Sequence, residues 1–264
     1  MLLQHTKYPT QTITNFIGND CEERLIENLK KLPNTWRYAT EDITYTMNSH
    51  GYRTKQFDNI DWNNSVVILG CSCVFGTGIN ESDTISSILQ EEINTPVINL
   101  GIGGTGADFQ YNNLMRLKQN NIEPKKVIVL WPNPNRFMYY VEQDKIESCL
   151  ISNMGFTDAV LKAGKQDYIL NYFLNKKHWL YNFEQIVQSA NILYPQLVNF
   201  FFHGDLINHD LNLPGDLKAD DDIVAQETNL CEARLNYNSR DLEHNGGPVH
   251  REVTVPYILS KLDI

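Results

Sequence analysis

A three-layer α/β/α domain is the fold predicted by this sequence, from two observations. Four short apolar, β-branched runs, "SVVILG" (65–70), "PVINLG" (96–101), "KVIVLW" (126–131) and "LVNFFFH" (197–203), are continuous rather than alternating in hydrophobicity. Runs of that kind suit parallel strands covered on both faces. Between the first three lie two stretches of helix length, "ESDTISSILQEEI" (81–93) and "GADFQYNNLMRLKQNN" (106–121). Strand, helix, strand, helix, strand makes two βαβ units, which place helices on both faces of a mainly parallel sheet.

Each element has a local justification. In 81–93, Ser82 or Asp83 stands where a helix cap is wanted, and Ile85, Ile88 and Leu89 share one face. The segment from about 140 to 195 is rich in aromatics and helix formers, including "DYILNYFLNKKHWLYNFEQIV". It reads as a helical or loop insertion packed beside or over the sheet, its aromatics serving as core. Residues 1–60 read as a lead-in packed on a single domain spanning 61–264. The acidic stretch "DLKADDDIVAQE" (216–227) holds the run Asp220 to Asp222 without the glycine-punctuated spacing of a calcium loop, so it reads as a solvated loop.

Bulk composition excludes several classes of partner. The chain has 264 residues, with 22 basic and 32 acidic side chains and a net charge of −10. Nucleic acid and anionic membrane surfaces both require phosphate-neutralising positive charge, so neither is an expected partner. "MLLQHTKYPTQT" lacks the basic start and apolar run of a secretory signal, and no later run reaches the ~18 apolar residues of a membrane span. A soluble, cytoplasmic protein is expected. Five scattered cysteines, Cys21, Cys71, Cys73, Cys149 and Cys231, fit reduced thiols better than a disulfide framework.

In open α/β sheets the working site lies beyond the carboxyl ends of the strands. Three such ends carry chemistry here: Gly70-Cys71-Ser72, Gly101 to Gly106, and Trp131 to Asn135. The first sits in "VVILGCSCVFGTGI", which four chemistries could use. A zinc site is disfavoured, because Cys71 and Cys73 are one residue apart and no second ligand pair exists. A thiol nucleophile stays open, against packing roles for both cysteines. A dinucleotide cradle is spelled out by "GIGGTG", but no acidic residue closes the following strand, and no G-x-x-x-x-G-K-[ST] occurs.

A serine nucleophile has partners late in the chain, in "SRDLEHNGGPVHREV". Asp241 and His244 are three apart, so on one helical turn they share a face and the carboxylate can accept the imidazole Nδ1 proton. Nε2 is then available to a serine hydroxyl, which is the division of labour of a Ser-His-Asp triad. The nucleophile elbow G-x-S-x-G is absent, since Val74 stands where its second glycine belongs.

Taken in order along the chain, these segments resemble the SGNH (GDSL) hydrolase superfamily. "ILGCSCVFGTGI" looks like its first block, Gly-Asp-Ser and a Phe-Gly-x-Gly turn, with Ser72 as nucleophile and Cys71 in place of the Asp. "YTMNSHGYRTKQFD" (45–58) resembles the Asn-Ser-x-Gly-Phe-Arg lead-in of many members. "VINLGIGGTGADFQ" is similar to the second block, which makes Gly104 an oxyanion-hole residue beside the Ser72 amide. "RDLEHNGGPVHREV" resembles the last, with Asp241 and His244 completing the triad. The third block, normally Gly-x-Asn-Asp, appears as "LWPNPNR"; Asn133 is its candidate oxyanion side chain, Asn135 the second choice, and Arg136 reads as either a pocket cation or a surface residue.

The resemblance implies a flavodoxin-like sheet and an esterase that needs no metal or organic cofactor. Its expected substrate is a small-molecule or glycan ester of a short acyl group, such as an O-acetyl. The rival readings are a non-catalytic carbohydrate-binding or structural protein that keeps the fold, and a nucleotide-binding Rossmann-like protein.

Overall fold

The computed structural model describes residues 2–142, 145–150, 176–201 and 235–262. The acidic stretch 216–227, Cys231 and residues 143–144 and 151–175 of the aromatic segment lie outside the described residues.

Four parallel strands form the central sheet: β4 (Val66–Leu69), β5 (Val97–Asn99), β6 (Lys126–Trp131) and β9 (Val198–Phe201), in the order β5-β4-β6-β9. Each is continuous in hydrophobicity because each face is covered. Val67 and Leu69 join a cluster with Leu114 and Leu117 of α4 (Ala107–Gln119) and with Phe183 and Val187 of α5 (Lys176–Leu193). Val66 and Ile68 instead pack with Ile85, Ile88 and Leu89 of α3 (Ile85–Ile93) and with the C-terminal Val255 and Ile258. Alternate residues thus serve opposite layers, and the fold is the expected α/β/α sandwich with a flavodoxin-like strand order.

Strand order also locates the crevice. From β4 the chain passes through α3 to β5 on one side, then crosses back through α4 to β6 on the other. Right-handed crossovers in opposite directions put α3 and α4 on opposite faces. The connections leaving the carboxyl ends of β4 and β6 diverge there, opening a cleft next to β4.

Two local expectations are corrected. Helix α3 is capped by Thr84, whose Oγ1 accepts from the Ser87 amide at 3.2 Å, rather than by Ser82 or Asp83. Those two residues belong to a short 3-10 turn, Glu81–Asp83, which leaves Thr84 as the first extended residue before the helix. Residues 136–142 and 145–150 are not helical either: β7 (Arg136–Glu142) and β8 (Lys145–Leu150) form an antiparallel pair. Phe137, Tyr139, Tyr140 and Val141 favour extended backbone, and β8 gains a second, parallel partner in β1 (Gln4–His5). Residues 176–193 are helical, as their pattern predicts.

The segment preceding the sheet, which holds α1 (Glu22–Lys31) and the short antiparallel pair β2 (Ile13–Thr14) and β3 (Tyr45–Thr46), shares its core. Leu3, Trp36, Tyr45 and Tyr52 belong to the same buried cluster as Val67. Arg53, the arginine of the lead-in, is buried and donates to the carbonyls of Gly76 at 2.7 Å and Ile79 at 3.0 Å. Its guanidinium also pairs with Glu81 at 2.8 Å and lies 4.5 Å from the Tyr45 ring centre. One side chain therefore fastens the lead-in to the turn that follows Ser72. Among the described residues, no helix is long and apolar enough to cross a membrane.

Candidate active site

Ser72 opens a single helical turn, α2 (Ser72–Phe75), at the carboxyl end of β4. Its Oγ lies 2.8 Å from His244 Nε2, across 172 residues of sequence. His244 Nδ1 lies 2.7 Å from Asp241 Oδ2. An ionised carboxylate only accepts, so Nδ1 carries the proton and Nε2 is the acceptor facing the serine hydroxyl. The other oxygen, Asp241 Oδ1, accepts from the Glu243 amide at 3.1 Å and from the Ser239 hydroxyl.

The Asp241–His244 pair does not ride on a helix. Leu242, between them, has φ of 60°, a left-handed conformation that costs a non-glycine residue about 1–2 kcal/mol. The tight turn it makes brings the two side chains together at the spacing a helical turn would have given. Neighbouring contacts fix that turn in place. Arg240 donates from its amide to the Gly78 carbonyl at 2.8 Å, and its buried guanidinium grips Asp20 through Nε at 2.8 Å and Nη2 at 2.7 Å. Tyr45 Oη donates to the same Asp20 carboxylate at 2.6 Å, and Asn28 Nδ2 donates to the Arg240 carbonyl at 3.1 Å. The lead-in therefore positions the loop that carries Asp241 and His244.

Electrostatics follow from this burial. Desolvation alone would raise the Asp241 carboxyl, but the hydrogen bond and charge of His244, with the Ser239 hydroxyl and Glu243 amide, hold it below the ordinary range. Desolvation likewise lowers the His244 imidazole, yet its hydrogen bond to Asp241 and that carboxylate's charge outweigh it, with smaller help from Cys71 and Glu243. The net shift is upward. Such a pair stabilises the imidazolium that forms when a serine hydroxyl gives up its proton.

Ser72 and His244 open into a cavity of about 220 Å³ that Gly103, Gly104, Tyr8 and Arg136 also line. Gly104 has φ of 81° and open space on its Cβ side. Neither its amide nor that of Ser72 has an acceptor among the described residues. Gly103 is required for a different reason: a Cβ there would sit 2.2 Å from the Tyr8 hydroxyl. Burial raises that phenol above its ordinary range, only partly offset by the Gly103 amide.

The turn after β6 places its candidates unevenly. Asn133 Oδ1 accepts from the Asn135 amide at 3.1 Å, and neither asparagine lines the cavity. Arg136, the next residue, does. Cys71 is buried with its sulfur 3.9 Å from Ser72 Oγ, and Cys73 is half-buried on α2. Among the described residues, no cluster of three or more His, Cys, Asp or Glu side chains could hold a metal. Sequence reasoning missed Tyr8, which lies far from every motif, and the Asp20–Arg240 pair, whose members are 220 residues apart. Nothing in local spacing signals either.

No family model matches the chain, and no curated protein matches it. Among solved structures it is similar to a protein of the G-D-S-L family from Desulfitobacterium hafniense DCB-2, at 13% identity over 76% of this chain and 100% of that one, with a TM-score of 0.40. It is also similar to TesA, at 13% identity over 75% of this chain and 99% of that one, with a TM-score of 0.42. A family two carbohydrate esterase from Cellvibrio japonicus aligns at 12% identity over 76% of this chain and 62% of that one, with a TM-score of 0.39. At these identities and scores the three structures assign no residue a role, and it is the order of its motifs that makes the chain similar to the SGNH (GDSL) hydrolases.

Proposed function

We propose that the protein is a serine esterase that cleaves a short-chain carboxylic ester, with Ser72 as nucleophile, His244 as general base and acid, and Asp241 as the group that orients and stabilises the imidazole. The observation that carries this reading is the unbroken hydrogen-bonded chain from Ser72 Oγ through His244 to Asp241, opening into a cavity. Ser72 Oγ attacks the ester carbonyl carbon while Nε2 takes its proton. The carbonyl becomes an oxyanion, for which the Ser72 and Gly104 amides are the donors available. The alcohol leaves with the proton from Nε2, and a water activated by the same nitrogen then releases the acid and regenerates Ser72.

The resemblance of the "NSHGYR" lead-in to that of many short-acyl esterases supports a small acyl group, and an O-acetyl ester is the preferred substrate class. The reading is tested with nitrophenyl esters of increasing acyl length, comparing the wild type with Ser72→Ala. The expected result is fastest turnover of the acetate, and a loss of about 10³-fold or more in kcat in the variant. Equal rates from acetate to long chains would remove the short-acyl assignment. A wild type as slow as Ser72→Ala on every ester would favour the non-catalytic reading, to which the placement of Asn133 and Asn135 away from the cavity also speaks.

A further inference from the structure

The cavity beside Ser72 is lined with donors and cations, in a chain whose net charge is −10. Arg136 and Lys7 both line it, and among the described residues no Asp or Glu does. Arg136 is the more informative of the two. Its Nη1 is buried and has no hydrogen-bond acceptor, and the side chain makes no ion pair among the described residues. The two fully buried arginines among the described residues are answered, Arg240 by Asp20, and Arg53 by Glu81 and main-chain carbonyls. A buried charged donor without an acceptor is costly unless something outside the chain completes it.

His5, another of the lining residues, adds a neutral donor. It is buried, and its Nδ1 accepts from the Lys7 amide at 3.2 Å, which leaves the proton on Nε2. Burial first, then the Lys7 charge, lowers its pKa from 6.5 to about 4 against the opposing Glu147 carboxylate, so it is uncharged at neutral pH. Nε2 has no partner among the described residues. Lys7 also feels Glu147, whose carboxylate accepts from Thr6 and Tyr139, so the uncompensated charge rests on Arg136.

We propose that the site selects esters that carry a carboxylate close to the scissile bond, and that Arg136 is the specificity residue that holds it, with Lys7 and His5 as further donors in the same cavity. The assignment rests on Ser72 being the esterase nucleophile. A guanidinium fork matches a carboxylate in two parallel hydrogen bonds, which fixes the ester's orientation as well as its charge.

The test uses matched acetate esters, 3-acetoxybenzoate and its neutral amide 3-acetoxybenzamide, and the products' analogues benzoate and benzamide as ligands. The wild type should hydrolyse the carboxylate ester with at least ~10-fold higher kcat/KM, chiefly through KM, and Arg136→Gln should erase that preference while Arg136→Lys retains part of it. Calorimetric titration of Ser72→Ala should show benzoate binding at least ~10-fold tighter than benzamide, without relying on turnover or on the Arg136 variants folding. Equal binding of the two ligands, or an unchanged preference in Arg136→Gln, would overturn the proposal. Hydrolysis of both acetates at one rate would reject the anion site and leave the esterase standing. Arg136-dependent benzoate binding with no hydrolysis of either ester would do the reverse. Sulfate competing as well as benzoate would overturn the preference for a carboxylate over other oxyanions.

Discussion

At Ser72, His244 and Asp241 the distances determine what each side chain can do, and the pKa shifts set the pH at which it does so. In the proposed mechanism His244 is the base and can serve only when neutral, and its imidazole is held above the ordinary 6.5 by Asp241 despite burial. On acidification, protonation therefore begins above pH 6.5, and kcat/KM should fall along an acid limb whose midpoint is higher than that value. Asp241→Asn removes the charge that raises the imidazole and leaves its tautomer unfixed. A pH series on that variant should show the limb moved to lower pH and kcat reduced by about 10⁴-fold; a limb that stays in place would mean another group sets it. That these three side chains could meet was legible because the proposed chemistry limits which residue types can serve, and "GCSC" and "RDLEHNGG" supply them in order. Arg136 was legible only as an alternative, since its burial depends on how β7 leaves the turn after β6.

Elements were readable to the extent that their cause is local. Apolar runs predicted all four central strands, because burial on both faces leaves a mark on every residue. The antiparallel pair β7 and β8 was hidden: its aromatics also suit helices, and its added partner β1 lies more than 100 residues upstream. Loops at the strand ends are shaped by single contacts of the same long range. Gly103 is one, since an added Cβ would lie 2.2 Å from Tyr8 Oη but 3.5 Å from the ring carbon behind it. Gly103→Ala should accordingly cost about 1–3 kcal/mol of stability by overpacking. Tyr8→Phe removes the oxygen, so in that background the same substitution should be markedly less destabilising. Urea denaturation of the two single variants and the double variant measures the coupling; additive losses would show that the hydroxyl is not the obstacle.

Across the whole molecule, the site exists only because three distant parts of the chain meet. Ser72 comes from the first strand of the sheet, the Gly103 and Gly104 turn from the second, and His244 from a loop held against the lead-in by Arg240 and Asp20. The layer architecture was legible early, being a consequence of strand and helix alternation. The clamp between residues 20 and 240 was not, because a buried ion pair leaves no periodic signal in either segment. The central claim is that this convergence makes one serine a nucleophile. A fluorophosphonate probe, which phosphonylates activated serines, followed by peptide mass spectrometry of the native protein, tests it most directly. A single adduct on Ser72, absent in His244→Ala, is the predicted result, and folded wild-type protein that carries no adduct at Ser72 would contradict it.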